Sequence, residues 1–257
     1  MLHVERVGKV FGEPGAQGEY YALEGIDLRV TPGEFLCLLG PSGCGKTTLL
    51  NILAGFERPT SGRVLLSGRE VRRPGSDRVM IFQDANMALF PWLTARENVA
   101  FGLGLRGALG PAQQAQVNAY LEMVGLRDHG EKFPHELSGG MRQRVQIARA
   151  LAIEPDILLM DEPFAALDAI TRTHLHRELL RIWCATGKTI VFVTHDIVES
   201  ILLADRVAVM NPGPRSRIAH IFEINLPRER DPRHPRFADL LGEIQDRLQE
   251  WQETVRV

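Results

Sequence analysis

The sequence predicts an α/β protein with a mainly parallel sheet core. An antiparallel β portion comes from the N-terminal strands, and a helical subdomain is inserted at about 85–150. Three observations carry this. The apolar run Glu34-Phe35-Leu36-Cys37-Leu38-Leu39 leads through a Gly-rich loop into Leu49-Leu50-Asn51-Ile52-Leu53-Ala54, which is strand, loop, helix. Ile157-Leu158-Leu159-Met160 and Thr189-Ile190-Val191-Phe192-Val193-Thr194 are short and continuously apolar, as in strands buried on both faces. Between these regions the apolar period changes from two to that of a helix.

In chain order, Leu2 to Val7 and Ile26 to Val30 alternate apolar and polar residues, as half-buried strands do. Residues 12–19 read as a loop, and Pro32-Gly33 as a turn. Arg63 to Leu66 and Arg78 to Phe82 read as strands separated by Pro74-Gly75. Thr94-Ala95-Arg96-Glu97 is a capping box before Val99, Phe101 and Leu103. Gly107 to Gly110 breaks the pattern, Pro111 opens a helix and Gly125 stops it. Asp168 caps a helix to about Thr186, with Leu175, Leu179, Ile182 and Trp183 inward. A helix over 196–203, strands over 206–210 and 218–224, and a terminal amphipathic helix with Phe237, Leu240, Leu241, Ile244 and Leu248 complete the chain. The intervening Arg228, Arg230, Arg233 and Arg236 read as a solvated basic linker, with lipid headgroups or a partner as the alternative contact.

The 257 residues suffice for one large domain or a core with a subdomain. Apolar content of 44% and charged content of 24% are those of a soluble globular protein. A net charge of −2 gives no global basic field for nucleic acid. Three cysteines without metal-ligand spacing suit a reducing compartment and provide no disulfide framework. Met1 to Arg6 lacks the apolar core of a secretory signal. No apolar stretch approaches the ~18 residues that span a bilayer, so any membrane-spanning partner is another chain.

Gly40-Pro41-Ser42-Gly43-Cys44-Gly45-Lys46-Thr47-Thr48 fits G-x-x-x-x-G-K-[ST], the P-loop pattern. Glycines admit a polyphosphate close to the backbone, whose N–H groups and helix N-terminus face anionic oxygens. Lys46 is placed for the β- and γ-phosphates, and the Thr47 hydroxyl for Mg²⁺. Asp161 and Glu162 end an apolar strand, where a carboxylate beside a P-loop holds Mg²⁺. Asp161 takes that role, directly or through water; Glu162 accepts a proton from, or orients, the attacking water. His195 ends the next buried strand and is placed to donate to the γ-phosphate or position the water. Gln83 also follows a strand, as a neutral group that senses Mg²⁺ or water. Ser138, Gly139 and Gly140 form a capped, glycine-opened helix start, a second anion site by the same physics. His174 and His176, two apart on a helix, do not share a face for a metal. Cys44 carries no mark of a nucleophile.

The P-loop, Gln83, Leu137-Ser138-Gly139-Gly140, Ile157 to Glu162, Ala166-Leu167-Asp168 and His195 together resemble the ATPase subunits of ABC transporters in order and spacing over residues 1 to about 225. The resemblance implies a P-loop NTPase (RecA-like) core that uses ATP and Mg²⁺. Residues 226–257 would be a C-terminal extension. It also implies a head-to-tail dimer in which each ATP meets one P-loop and the partner's Ser-Gly-Gly, with Asp168 in the loop crossing the interface. By position Phe11 looks like the aromatic that stacks on adenine, with Tyr20 and Tyr21 as competitors. Met141 stands where Gln is usual, Ala165 where Ser or Gly is common, and Thr47 where Ser is frequent. None removes a group needed for hydrolysis.

Phe90-Pro91-Trp92-Leu93-Thr94 with Glu97-Asn98-Val99, Asp161 to Ala169, and Thr194 to Ser200 look like importer subunits. The tail, Leu226-Pro227-Arg228 with His234-Pro235-Arg236-Phe237, is similar to nitrate, sulfonate and taurine importers of bacteria. The implied role is energising import of a small anion. The implied place is the cytoplasmic face of the inner membrane, with permease subunits and, indirectly, an extracytoplasmic solute-binding protein as partners. Phe90 to Leu93 would then be an apolar docking surface; the alternative is packing inside the helical insert. Two other readings compete. A soluble ABC ATPase of nucleic-acid maintenance or translation would need tandem domains, a long coiled coil or a basic surface, which the sequence lacks. A nucleotide-gated regulator that hardly hydrolyses is disfavoured by Glu162 and His195.

Overall fold

The computed structural model describes residues 1–12, 18–104 and 110–254. The centre of the expected 12–19 loop and most of the 107–110 break lie outside them. The chain divides into two compact units, residues 1–75 with 189–257, and residues 76–188.

In the first unit, β1 (Leu2–Phe11), β2 (Tyr20–Val30), β4 (Ser61–Leu66) and β5 (Arg69–Glu70) form an antiparallel sheet in the order β2-β1-β4-β5. The alternation read in Leu2 to Val7 and Ile26 to Val30 is that of its buried face: Leu2, Val4, Ile26, Leu28 and Val30 are all buried. β2 begins earlier than its alternation suggested, and brings Tyr20 opposite Phe11.

The same unit holds β3 (Phe35–Leu39), β8 (Thr189–Thr194) and β9 (Arg206–Met210), with β3 parallel to both neighbours. Every residue of β3 and β8 is buried, the pattern of parallel strands covered on both faces. β10 (Ile218–Glu223) adds an antiparallel edge on β9. The helices are α1 (Lys46–Ala54), α7 (Ile197–Leu203) and α8 (Pro235–Thr254). α8 packs against α7 through Phe237, Leu240 and Ile244, spaced three and four apart on one buried face.

The expected solvated linker is different in the fold. Arg228 donates to the Leu203 carbonyl at 2.8 Å and pairs with Asp205. Arg230 reaches the carbonyls of Ile201 (2.5 Å), Ala204 (2.6 Å) and Ile224 (3.3 Å). These carbonyls include the unfinished C-terminal turn of α7, whose partial negative charge attracts cations. Arg233 and Arg236 remain exposed and pair with Asp231 and Glu243.

The second unit contains the parallel pair β6 (Arg78–Ile81) and β7 (Ile157–Asp161). Its helices are α2 (Ala85–Ala88), α3 (Ala95–Gly104), α4 (Pro111–Met123), α5 (Gly139–Ala152) and α6 (Ala169–Thr186). The mostly helical character expected between 85 and 150 is present. The capping box forms reciprocally: Thr94 N–H donates to Glu97 at 2.8 Å and Glu97 N–H to Thr94 Oγ1 at 3.2 Å. Val99 and Leu103 are buried, four apart, while Phe101 between them is exposed. The central helix is α5, against which α2, α3, α4, α6 and β6 pack. His176 on α6 is buried edge-on to Phe164 at 5.5 Å and His174 is exposed, so the two histidines do not share a face.

Candidate active site

The P-loop joins β3 to α1. Gly43 and Gly45 have φ of +78° and +92°, a region open to glycine at little cost. A Cβ on Gly45 would lie 2.8 Å from Leu23, and one on Gly40 would lie 2.9 Å from the Met210 carbonyl. The glycines are thus required by packing as well as by the path of the loop. The start of α1 has no side-chain cap and no acidic residue in its first turn. Its first-turn N–H groups and positive helix end suit an anion of phosphate chemistry.

Lys46 is only 5% exposed. Its Nζ donates to the carbonyls of Gly40 (2.8 Å) and Pro41 (2.9 Å) and lies 3.9 Å from Cys44 Sγ. The loop therefore holds its ammonium against its own backbone. Burial raises the Cys44 thiol above its ordinary value, with Lys46 opposing, so Cys44 stays a thiol at neutral pH. Thr47 is exposed.

His195 follows β8 directly. Leu39 pairs with Thr194 across the parallel β3–β8 ladder, so Gly40 and His195 leave the same end of adjacent strands. Thr194 Oγ1 donates to the buried Glu199 at 2.5 Å and accepts from the Asp196 N–H at 3.0 Å. The residues on both sides of His195 are thereby tied down, and the exposed His195 is presented on a fixed turn. The sequence named His195 but gave Glu199 no role; its signal was a carboxylate on a short helix that has a buried face.

A second pair of strand ends occurs in the other unit. Ile81 pairs with Met160 in the parallel β6–β7 ladder, so Phe82-Gln83 and Asp161-Glu162 leave the same end. Asp161 and Glu162 are half-buried and Gln83 is exposed. Glu162 has φ of +42°, a region a non-glycine residue rarely occupies. Its carbonyl accepts from the Ala165 N–H at 3.2 Å, closing a tight turn into Phe164 and Leu167.

Ser138 caps α5, its Oγ accepting from the Met141 N–H at 3.3 Å. Ser138 is exposed and Gly140 buried. A Cβ on Gly140 would come within 2.7 Å of Thr171 Cγ2, so the glycine lets α6 approach the start of α5. Asp168 caps α6 by accepting from the N–H groups of Thr171 (3.0 Å) and Ile170 (3.1 Å), which lowers its pKa.

Phe11 and Tyr20 sit directly opposite on β1 and β2, both exposed, with Lys9 Nζ 4.8 Å from the Phe11 ring centre. Tyr21 points elsewhere: Arg215 covers its ring at 3.8 Å and its hydroxyl bonds Glu19 at 3.2 Å. Among the three aromatics, Phe11 and Tyr20 keep open surface.

The oxygen donors Thr47, Gln83 and Asp161 are hard ligands of the kind Mg²⁺ takes alongside phosphate and water. Among the described residues no three His, Cys, Asp or Glu side chains gather into a self-contained metal cage. Each unit by itself offers too few such donors to close a shell, which suits a metal completed by phosphate and water.

The second unit also carries an apolar patch. Phe90 packs against Phe101 (4.4 Å) and Trp92 (5.4 Å), with the Arg149 guanidinium 5.5 Å from its ring centre. Trp92 is 69% exposed and the neighbouring Met87 86%. The buried Asn98 fixes the loop, accepting from Phe90 N–H (2.9 Å) and donating to the carbonyls of Leu93 and Thr94 (both 3.0 Å). Within Phe90 to Leu93, Phe90 is half-buried, so it packs in the insert, while Trp92 is exposed.

The sequence matches the ABC transporter family over residues 23–165. It is 48% identical to the nitrate import ATP-binding protein NrtD of Synechococcus elongatus, over 96% of this chain and 91% of that one. It is 46% identical to the bicarbonate transport ATP-binding protein CmpD of the same organism, over 93% of this chain and 87% of that one. Among solved structures it is similar to the dimeric ATP-binding cassette MJ0796 in a post-hydrolysis state bound to ADP and Pi. That likeness has a TM-score of 0.75 and 32% identity, and covers 88% of this chain and all of that one. With its P-loop, glycine-opened signature helix and carboxylate-ended strand in place, the chain belongs to the ABC transporter family, as an ATP-binding subunit that hydrolyses ATP with Mg²⁺.

Proposed function

We propose that this chain energises the import of a small anionic solute, of the nitrate, sulfonate or taurine kind. The observation that carries this reading is the 48% identity with a nitrate import ATP-binding protein along 96% of the chain. Bicarbonate is the second reading, favoured by the 46% identity with CmpD. Nitrate and bicarbonate are both small planar monoanions.

Each named residue has a part. The P-loop, Gly40 to Thr48, cradles the phosphates with its N–H groups, and Lys46 supplies positive charge. Glu162 accepts a proton as water oxygen bonds the γ-phosphorus and the bond to the ADP oxygen breaks. His195 donates to the γ-phosphate. Thr47, Gln83 and Asp161 would hold Mg²⁺, which would supply positive charge against the phosphate oxygens. Phe11, with Tyr20 beside it, stacks on adenine. Ser138, Gly139 and Gly140 contact the nucleotide of a second copy or a related subunit. Residues 1–225 form the ATPase domain and 226–257 a C-terminal extension. The chain works peripherally at the cytoplasmic side of the inner membrane, with Met87, Trp92 and Phe101 offered to a permease.

The test is uptake in cells lacking the gene. Labelled nitrate, bicarbonate, taurine and an alkanesulfonate are supplied in turn. The expected result is loss of nitrate uptake, restored by the wild-type chain and not by Glu162→Gln. Loss of bicarbonate uptake alone would favour the second reading, and unchanged uptake of all four would reject both.

A further inference from the structure

Gln146 lies in the middle of α5, 1% exposed, with the equally buried Gln143 one turn before it. A buried amide needs partners for both its oxygen and its nitrogen. With the amide oriented to satisfy its surroundings, Gln146 oxygen accepts from the Phe82 N–H at 2.8 Å. Its nitrogen donates to the Phe82 carbonyl at 3.2 Å and to Gln143 Oε1 at 3.2 Å. Gln146 thus takes both main-chain groups of one residue. That residue stands between the end of β6 and Gln83.

β6 stops at Ile81, whose ladder partner is Met160. Phe82 lies just beyond that last pair, and α5 holds its backbone through the Gln146 amide. The start of α5, Ser138, lies eight residues before Gln146, about 12 Å along a rigid helix. One helix therefore carries the Ser138-Gly139-Gly140 turn at its tip and grips the residue before Gln83 in its middle.

From this geometry we infer that Gln146 is a positioning residue for hydrolysis: it fixes Gln83 and ties its placement to the helix that carries the signature turn. The inference rests on the role proposed above for Gln83. Gln146 is buried within α5 and acts through the Phe82 backbone. Engagement of the signature turn and placement of Gln83 are then linked through one element, so that loosening the amide bracket slows chemistry without weakening ATP binding.

The test uses the full chain and the substitutions Gln146→Met, which keeps the side chain's approximate volume, and Gln83→Ala. Gln146→Met is expected to lower kcat about tenfold and leave KM for ATP within about twofold. Exchange of the Phe82 amide hydrogen should accelerate at least tenfold. In the Gln83→Ala background, adding Gln146→Met should change kcat no further. Gln146→Glu, which keeps the acceptor for the Phe82 N–H, should recover part of both losses. Unchanged kcat in Gln146→Met, or a loss that repeats in full in the Gln83→Ala background, would overturn the inference while leaving the role of Gln83 standing. Full turnover in Gln83→Ala alone would remove the role of Gln83 and this inference with it. The exchange rate at Phe82 reads the bracket whatever the activity.

Discussion

Glu162 combines two uncommon properties: a carboxylate at a strand end and a backbone φ of +42°. Side chains in that region cost on the order of 1–3 kcal/mol and persist only where surrounding structure holds them. Here the hold is short-range, from β7 on one side and the turn closed by the Ala165 N–H on the other. The conformation fixes the direction in which the proposed base leaves the strand end. Glu162→Gln keeps the size and the backbone and removes the base. Turnover should fall by at least about a hundredfold, the usual yield of a general base, with ATP affinity retained. Steady-state ATPase rates and binding of a fluorescent ATP analogue check this; a variant with undiminished turnover would contradict the role. Lys46 makes the complementary point. Its ammonium is held by Gly40 and Pro41, so the residues that shape the cradle also hold its cation.

Helix ends carry the argument at the level of elements. The Asp168 carboxylate caps α6 and has its pKa lowered by the N–H of Thr171 and then that of Ile170. A group with a depressed folded pKa contributes fully above its unfolded value, and loses the contribution as pH falls through the folded one. Wild type should therefore melt above Asp168→Asn at neutral pH. The gap should close below about pH 4, where a free aspartate begins to protonate. Circular dichroism melts from pH 7 to pH 3 test this, and a gap that widens in acid would reverse the assignment.

The opposite end of a helix is capped by a cation. Burial, then the neighbouring Arg228 charge, pull Arg230 down to about 10, which leaves it charged at neutral pH. Arg230→Met should leave the Ile201 and Ala204 carbonyls short of a donor and cost about 1–3 kcal/mol. A urea midpoint equal to that of the wild type would show that water replaces it without loss.

For the molecule as a whole, the relevant surface is apolar and exposed. No helix among the described residues is long and apolar enough to cross a membrane. Met87, Trp92 and Phe101 are each exposed, Trp92 on the loop pinned by Asn98, and exposed large apolar side chains are typical anchors of a protein interface. Trp92→Asp should abolish copurification with the membrane fraction and leave the ATPase rate of the isolated chain unchanged. Retained membrane association would move the docking surface elsewhere. The proposed second copy makes its own demand: Glu162→Gln with ATP should double the apparent mass from 28.7 kDa in light scattering.

Much of the site was legible in the sequence because phosphate chemistry demands residue types at fixed spacing. Gly40 to Thr48, the Ser138 cap, Asp161-Glu162 and His195 are local in the chain, and each fixes its own backbone path. Parallel strands and capped helices were legible for the same reason: burial on two faces and unpaired N–H groups leave compositional marks. The sequence misread Arg228 and Arg230 as solvated, since a guanidinium looks the same beside water as beside helix carbonyls. It could not see that Thr194 and Glu199 brace His195, or that Gln146 grips Phe82, because those partners meet through packing and not through spacing. By itself the sequence pointed to the chemistry: a nucleotide loop, with candidates for a base and a metal carboxylate. Only the tertiary structure decided how firmly those groups are held, because a hydrogen bond between buried groups exists only once the surrounding core excludes water.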